Sequence, residues 1–329
     1  LVQLSLNENA FGPSPRALAA MQAHLGEVGR YPFALAPELV RLIAAKEGVT
    51  PDHILLGAGS GELLEAVGMH LGRDGGEVVS AVPGYFQFVG AMQRMGAHSV
   101  AVPLNARLEH DLDAMAAAVG PATKCVYVCN PNNPTSTLCP AAELRAFVIA
   151  QAQRTHVFVD EAYLECADDF AGNTLVDLVR AGHNVTVART FSKLHGLAGQ
   201  RIGYTVMAPE LAKAVRPLMT GSANLLGVVA ARASLEDPDY LESARHRLKA
   251  GRDALLAVLD ELGCRYAGPQ GSFVFFQTGR PIAEFQAAMR AEGILVARPF
   301  APLLDWCRIT IGAEDEMELA HAAIRRVLG

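Results

Sequence analysis

Short apolar runs alternate with helical patterns between residues 54 and 207, and this alternation decides which folds the chain can adopt. The apolar runs predict strands at residues 54–57, 77–82, 99–103, 124–129, 156–160 and 184–190, with a further run at 202–207. Helical spacing predicts helices at residues 63–71, 85–95, 112–119 and 140–153. Strands that are apolar throughout and separated by helices indicate a mostly parallel sheet with both faces covered. We therefore predict an α/β fold for this part of the chain.

The strand–helix rhythm changes after about Pro217. Two helices are predicted at 224–236 and 239–262, followed by short strands at 272–276, 294–297 and 307–311 and helices at 282–292 and 314–328. This pattern is typical of a smaller α+β domain. The stretch from residue 4 to residue 15 is polar and contains two prolines, which predicts an irregular arm rather than a helix or strand. We expect an N-terminal arm (1–29) that joins the small domain, a large domain (30–220) and a small C-terminal domain (221–329).

Composition narrows the class of protein. About half of the residues are hydrophobic and 19% are charged, which suits a sizeable core and argues against disorder. The net charge of −6 and the lack of any basic run argue against a nucleic-acid partner. No apolar run is long enough to span a membrane. The six cysteines form no CxxC pair, so we expect reduced thiols in a cytoplasmic protein and no metal site.

Four polar features follow predicted strands. They are the glycine-serine turn at residues 58–61, the loop Asn130-Pro-Asn-Asn-Pro-Thr-Ser136, Asp160 and Lys193. Taken singly, each also fits a helix cap or a surface loop. Parallel strands bring their carboxyl ends to one edge of the sheet, where ligands bind. The convergence of all four features at that edge favours a binding site.

Lys193 lies in a stretch of glycine and hydroxylated residues, with Arg201 eight positions later. A lysine between two buried strands loses hydration, so we expect a lowered pKa and a nucleophilic amine. The hydroxyls and the arginine suit a phosphate group. Pyridoxal phosphate requires such a lysine, an anion site and an acid beside its ring nitrogen. Asp160, the last residue of a predicted strand, has the right type and place to be that acid.

The chain resembles the fold-type I pyridoxal-phosphate aminotransferases, and within them the histidinol-phosphate aminotransferase family. The resemblance rests on motifs in the family's order over nearly the whole chain: Leu6-Asn-Glu-Asn9, Arg30-Tyr-Pro32, Gly57-Ala-Gly-Ser-Gly61, Pro83-Gly-Tyr85, Cys129-Asn-Pro-Asn-Asn-Pro-Thr135, Val159-Asp-Glu-Ala-Tyr163, Arg189-Thr-Phe-Ser-Lys193, Arg201-Ile-Gly-Tyr204 and Arg308-Ile-Thr-Ile-Gly312. It implies the cofactor pyridoxal phosphate, a homodimer, and amino transfer between an L-amino compound and 2-oxoglutarate. Histidinol phosphate is the favoured amino donor. Aromatic or other amino acids, or another reaction type on the same fold, are the alternatives, as is a cofactor-binding module without activity.

The resemblance also implies a role for each matching residue. The catalytic residues would be Lys193 as the Schiff-base lysine, Asp160 as the partner of the ring nitrogen, and Tyr163, which with Asn133 bonds the ring's phenolate oxygen. Residues that hold the cofactor's phosphate or ring would be Ala58, Gly59, Ser60, Tyr85, Thr190, Ser192, Arg201 and, from the neighbouring subunit, Tyr31. Substrate-binding residues would be Arg308, which grips the α-carboxylate, Asn9 and Arg298.

Some positions depart from the family's pattern. Ser136 stands where a glycine is usual, and Ala10 where a proline is usual. Ser222 and Ala223 also differ from the usual residues before Asn224. Ala297 occupies the place of an arginine that recognises the substrate's phosphate, and Arg298 comes one residue later. Since a shift of one residue turns a side chain to the other face of a strand, this departure is the reason for keeping aromatic or other amino acids as alternative donors.

Overall fold

The computed structural model describes residues 1–329, which form eleven strands and thirteen α-helices. The strands are β1 (Val2–Gln3), β2 (Ile54–Gly57), β3 (Glu77–Val82), β4 (His98–Pro103), β5 (Thr123–Cys129), β6 (His156–Asp160), β7 (Val185–Thr190), β8 (Gly203–Val206), β9 (Phe273–Gln277), β10 (Ile294–Leu295) and β11 (Trp306–Thr310). The helices are α1 (Pro15–Ala23), α2 (Leu35–Glu47), α3 (Ser60–Gly72), α4 (Gln87–Arg94), α5 (Leu112–Ala118), α6 (Ala141–Ala152), α7 (Phe170–Asn173), α8 (Val176–Arg180), α9 (Pro209–Val215), α10 (Leu225–Leu235), α11 (Pro238–Glu261), α12 (Ile282–Ala291) and α13 (Glu314–Leu328).

Seven strands form one large sheet in the order β2-β8-β7-β6-β5-β3-β4. Neighbouring strands from β7 to β4 run parallel, whereas β8 runs antiparallel to both β7 and β2. The sheet is therefore mixed but mostly parallel, as the apolar strands predict. The carboxyl ends of β5, β6 and β7 lie side by side, so the segments after them share one edge.

Alternate side chains of the strands supply two different cores. On one face Val126 and Val128 of β5 pack with Val157 and Val159 of β6, beneath helices such as α6. On the other face Tyr127 packs against α3 and α4. This period of two is what a strand buried on both faces requires. The alternation therefore places Tyr127 and Cys129 of β5 and Phe158 of β6 on the same face of the sheet as Asp160.

A second core lies outside the large sheet. It contains the antiparallel pair β9–β11, the parallel pair β1–β10 and one face of α11, α12 and α13. Leu4 of the N-terminal segment belongs to this core, whereas Ala17 of α1 and Ala231 of α10 pack with the large sheet. The division at residues 29/30 and 220/221 stays a prediction.

Most predicted elements are present within a residue or two of their expected bounds. The strand predicted at 294–297 is wrong beyond Leu295, because its partner β1 has only two residues and Pro299 soon follows. The two-residue strand β1 and the short helices α7, α8 and α9 were not predicted, because so few residues show little hydrophobic periodicity.

All six cysteines are free, and five of them are buried. None of the helices combines the length and apolar character that crossing a membrane requires. The cytoplasmic location stays a prediction.

Candidate active site

A cavity of about 630 Å³ opens at the carboxyl ends of β5, β6 and β7. The C-terminal part of the chain closes its opposite wall with Arg298, Phe300 and Arg308. Among the site residues predicted from the sequence, those that line it are Ser60, Tyr85, Asn133, Asp160, Tyr163, Thr190, Ser192, Lys193, Arg201, Arg298 and Arg308. The fold therefore brings together side chains that are up to 248 positions apart in the sequence (308 − 60).

Four predicted residues do not line this cavity. Ala58 and Gly59 directly precede Ser60 in the turn that opens α3. Asn9 lies beneath the site, where its amide donates a hydrogen bond to the carbonyl of Leu194 (2.7 Å). Tyr31 is 76% exposed and stacks on the equally exposed Phe33. Within a single chain, Tyr31 is therefore outside the site.

Lys193 is placed by the loop that follows β7. Its ammonium nitrogen donates to the carbonyls of Asn7 (3.0 Å) and Leu6 (3.3 Å). Burial, with a smaller contribution from the nearby charge of Arg308, lowers the pKa of Lys193 to about 8. A substantial fraction of the amine is therefore uncharged at mildly alkaline pH, which a nucleophilic lysine needs.

Asp160 ends β6 and is 2% exposed. One carboxylate oxygen accepts a hydrogen bond from the Tyr127 hydroxyl (3.0 Å), and the other accepts one from the backbone N–H of Ala162 (3.1 Å). Burial raises the pKa of Asp160 to about 6, against the two hydrogen bonds, which favour the anion. Each oxygen keeps a further lone pair for a donor in the cavity.

The turn before α3 and the loop before β8 form an anion cradle. Gly59 has φ of +82°, and no side chain caps the N-terminus of α3, whose N–H groups carry the positive end of the helix dipole. Arg201 donates to the Ser192 hydroxyl (3.3 Å) and the Ala198 carbonyl (3.0 Å). The positive φ favours glycine at position 59, and a side chain there would have to displace the Arg201 guanidinium from the cradle.

Glu62 is a site residue that the sequence analysis missed. Its carboxylate lines the cavity and accepts hydrogen bonds from the backbone N–H groups of Ala58 (2.7 Å) and Gly221 (2.6 Å). The available signal was an acid in the first turn of a helix, which commonly turns back to bond the preceding backbone. Glu62 therefore joins the cradle to the segment that leads into α10.

Arg308, on β11, has one side-chain nitrogen that is buried without a hydrogen-bond partner. Its two terminal nitrogens donate to Asn133 Oδ1 and to the Ser5 carbonyl, both at 2.6 Å. Its Nε is buried and has no hydrogen-bond partner. Buried polar groups are nearly always paired, so an acceptor is expected at this nitrogen.

Arg298 also reaches the cavity, and its role in binding the substrate stays a prediction. β10 ends at Leu295, and strand alternation therefore does not extend to Arg298. The Arg298 guanidinium carbon lies 4.5 Å from the ring centroid of Phe300 and 5.7 Å from that of Phe86. Ala297, by contrast, is buried and bonds the backbone of Arg308.

Asn7 is a second residue whose role the sequence left unassigned. Its side-chain amide donates to the Tyr163 hydroxyl (3.1 Å), and its backbone N–H donates to the hydroxyl of Thr310 (2.9 Å). Asn7 has φ of +56°, a left-handed conformation that asparagine adopts more readily than most residues. The N-terminal segment thus ties Tyr163, which follows β6 of the large sheet, to β11 of the second core.

Comparison with known proteins agrees with this geometry. The family model described as aminotransferase class I and II matches residues 1–326. This chain belongs to that family. A histidinol-phosphate aminotransferase of Symbiobacterium thermophilum is 38% identical to this chain. The alignment covers 100% of this chain and 91% of the relative. Membership confirms the predicted fold class, the transaminase activity and the cofactor pyridoxal phosphate.

Two solved structures are similar over nearly the full length. Histidinol-phosphate aminotransferase from Sinorhizobium meliloti, in complex with pyridoxal-5'-phosphate, has a TM-score of 0.90 and 32% identity and covers 99% of this aminotransferase and 90% of its own chain. N-succinyldiaminopimelate aminotransferase from Mycobacterium tuberculosis has a TM-score of 0.84 and 28% identity, covering 98% and 92%. The same architecture therefore occurs in proteins named for different amino donors.

The residues of the cavity fit the cofactor. The cradle, where the backbone of Gly59 lies directly against the Arg201 guanidinium, suits a phosphate, and Lys193 and Asp160 offer an amine of lowered pKa and a buried carboxylate. Tyr85 and the buried Cys129 also line the cavity near Asp160. An amine, a carboxylate and an anion cradle therefore meet at one cavity.

Proposed function

We propose that this aminotransferase exchanges an amino group between histidinol phosphate, or a closely similar phosphorylated amino compound, and 2-oxoglutarate. Relatives at 34–38% identity over almost all of this chain are named histidinol-phosphate aminotransferases. The observation that carries the proposal is a pair of guanidinium groups in the cavity. Arg298 and Arg308 both lie over the ring of Phe300, at 4.5 and 5.0 Å from its centroid.

Two cations this close repel each other. The charge of Arg298 adds to the effect of burial in lowering the pKa of Arg308. An anion with two charges relieves this repulsion better than a single carboxylate does. In histidinol phosphate the carbon that bears the amine carries a phosphorylated CH₂ group in place of a carboxylate. The pair therefore suits that donor, while Arg308 alone suffices for the α-carboxylate of glutamate.

We assign roles to the chain's own residues as follows. Lys193 would hold the cofactor covalently and move a proton to and from the substrate's reacting carbon. The cradle of α3 and Arg201 would hold the cofactor's phosphate, Asp160 its ring nitrogen, and Tyr163 with Asn133 its phenolate oxygen. The bound cofactor supplies an electron sink for the carbanion at the reacting carbon. Asn9 acts indirectly, by holding the backbone that follows Lys193.

The proposal includes a homodimer. Leu25, Val28, Tyr31 and Phe33 are large apolar or aromatic side chains, and each is more than half exposed within the single chain. Exposed apolar side chains close together in sequence are typical of a surface that another chain covers. In such a dimer the hydroxyl of Tyr31 would reach the phosphate cradle of the partner subunit.

A panel of amino donors with 2-oxoglutarate tests the substrate. We expect L-histidinol phosphate to be used with a kcat/KM at least ~10-fold higher than phenylalanine, tyrosine or histidine, the discrimination that one hydrogen-bonded contact between charged groups provides. A variant Arg298→Gln should remove that preference and leave the use of glutamate nearly unchanged. A preference for phenylalanine or tyrosine would replace histidinol phosphate by an aromatic amino acid. Loss of carboxylate without formation of a stoichiometric oxo product would point to another reaction type.

A further inference from the structure

We propose that Tyr127 is a positioning residue for the reaction: its hydroxyl holds the Asp160 carboxylate as an anion and so keeps the shared proton on the cofactor's ring nitrogen. This inference rests on the proposed role of Asp160. It concerns a residue that lines no part of the cavity and that the motifs of the sequence do not include.

Strand register places Tyr127 for this contact. Tyr127 of β5 is paired with Phe158 of β6, and Cys129 is paired with Asp160. Tyr127 and Asp160 are therefore diagonal neighbours on the same face of the sheet, within reach of a long aromatic side chain. The Tyr127 hydroxyl donates to Asp160 Oδ2 at 3.0 Å.

The surroundings of Tyr127 fix its role as a donor. Its ring stacks on Phe88 (5.1 Å between centroids) and lies 6.0 Å from Phe158, and the residue is 3% exposed. Burial and the neighbouring Asp160 raise the pKa of Tyr127 well above its usual value, so the phenol stays protonated at every working pH. A protonated phenol beside a carboxylate has only one useful hydrogen-bond direction.

The other ionisable groups around Asp160 do not replace this donor. Cys129 from β5 and Tyr85 from the loop after β3 face Asp160, but the Cys129 thiol donates to the Pro131 carbonyl (3.4 Å) and the Tyr85 hydroxyl to Gln87 Oε1 (2.8 Å). The hydroxyl of Tyr163, from the segment after β6, accepts a hydrogen bond from Asn7 and makes none with Asp160. Lys193, from the loop after β7, favours the Asp160 anion only as a minor effect on its pKa. The backbone N–H of Ala162 and the Tyr127 hydroxyl are thus the two direct donors.

The consequence concerns one proton with two possible positions. A carboxylate that accepts hydrogen bonds is a weaker base. When the Tyr127 donor is present, the proton between Asp160 and the ring nitrogen remains on nitrogen, where it strengthens the electron sink. Without that donor, Asp160 becomes more basic and takes a larger share of the proton, which leaves the ring nitrogen less charged.

The variant Tyr127→Phe removes one oxygen and keeps the aromatic packing. In the cofactor-free protein we expect the pKa of Asp160 to rise by about one unit, since a hydrogen bond to a charged group contributes at least that much. It would be measured by NMR of ¹³C-labelled aspartate, with Asp160→Asn identifying the resonance. With ¹⁵N-labelled cofactor bound, the ring-nitrogen shift should move toward the unprotonated position, and kcat should fall about 10-fold with KM nearly unchanged.

Tyr204→Phe is the matched control. Tyr204 is also a buried tyrosine of the large sheet, and its hydroxyl donates to another buried carboxylate, Glu47 Oε1 (2.8 Å). We expect this variant to lose stability but to leave the pKa of Asp160 and the ring-nitrogen shift unchanged. Unchanged values in Tyr127→Phe, or equal shifts in both variants, would overturn the proposal.

Two further measurements cover the cases in which Tyr127→Phe does not fold or the wild-type protein does not retain the cofactor. If Tyr127→Phe does not fold, 3-fluorotyrosine at position 127, a stronger donor of nearly the same size, should lower the pKa of Asp160; a rise would refute the role of the hydroxyl. If the wild-type protein retains no pyridoxal phosphate, the proposed cofactor site fails. The pKa of Asp160 in the cofactor-free proteins then still decides whether Tyr127 holds the carboxylate.

Discussion

Arg189 donates a hydrogen bond to Glu161 at 3.0 Å, and this buried ion pair joins the ends of the two strands that carry the proposed catalytic residues. Glu161 directly follows Asp160, and Arg189 lies four residues before Lys193. Arg189 also pairs with Glu47 of α2 (2.9 Å), and all three side chains are nearly inaccessible to solvent. The pair thus fixes the spacing between Asp160 and Lys193 from behind the cavity.

Replacing Arg189 by methionine should lower the free energy of unfolding by roughly 3–5 kcal/mol, because two buried carboxylates lose their partner. Urea unfolding would measure the loss. Removal of the partly exposed pair Arg145–Asp177 by Arg145→Ala is the control and should cost no more than about 1 kcal/mol. Equal effects in the two variants would show that Arg189 does not act as a buried clamp.

Substitution of Arg201 should weaken cofactor binding, whereas substitution of Arg308 should impair the use of substrate. Arg201→Ala removes a cation from the phosphate cradle, so we expect pyridoxal phosphate to bind about 10-fold or more weakly. Arg308→Ala should leave cofactor binding within a few-fold of wild type and lower kcat/KM for glutamate by about 100-fold, because the carboxylate loses a bidentate partner. Spectrophotometric titration of the cofactor and steady-state kinetics separate the two. An equal loss of cofactor affinity in both variants would contradict the assigned roles.

The sequence predicts the large sheet well because its strands are apolar throughout and are punctuated by polar turns. It also predicts eleven of the 24 residues that line the cavity, because they fall in short contiguous motifs. It does not reveal Tyr127 or Glu62, whose roles depend on strand register and on which backbone groups a helix end leaves free. The strand predicted at 294–297 ends at Leu295 because a strand's length is set by its partner, here the two-residue β1.

Ser136 illustrates a departure that only the structure explains. It has φ of +64°, a left-handed conformation in which glycine is favoured. Its hydroxyl accepts a hydrogen bond from the backbone N–H of Gly271 (2.8 Å), and its carbonyl accepts one from Gln270 (2.8 Å). Serine in place of glycine thus adds a contact between the loop that bears Asn133 and the small domain.

Attachment of the cofactor should depend on pH through Lys193. The pKa of Lys193 is lowered to about 8, so the reactive neutral amine becomes about 10-fold more abundant with each pH unit up to that value and then levels off. The rate at which the cofactor-free protein gains its visible absorbance should follow this profile. A profile that still rises near pH 10 would show an amine with its ordinary pKa.

The lowered pKa of Lys193 also makes the free energy of unfolding depend on pH. Between about pH 8 and pH 10.5 the unfolded chain binds a proton on this lysine that the folded protein has released. The contribution of Lys193 to the free energy of unfolding therefore rises with pH across that window, and below about pH 8 its charged form is a constant penalty. Lys193→Met should be more stable than wild type at pH 7, and the difference should shrink by pH 10. A constant difference would exclude this linkage.

Tyr31 should act across the subunit interface, and mixed dimers can test this. Lys193→Ala and Tyr31→Ala each impair both sites of their own homodimer. In a mixed dimer, the site in the Tyr31→Ala subunit keeps its Lys193 and receives Tyr31 from the other chain. Equal amounts of the two inactive variants, unfolded and refolded together, should therefore recover about a quarter of wild-type activity, because half of the dimers carry one intact site. If Tyr31 served its own subunit, every site would be defective and the mixture would be no more active than its parents. Size-exclusion chromatography with light scattering should find a dimer before and after mixing.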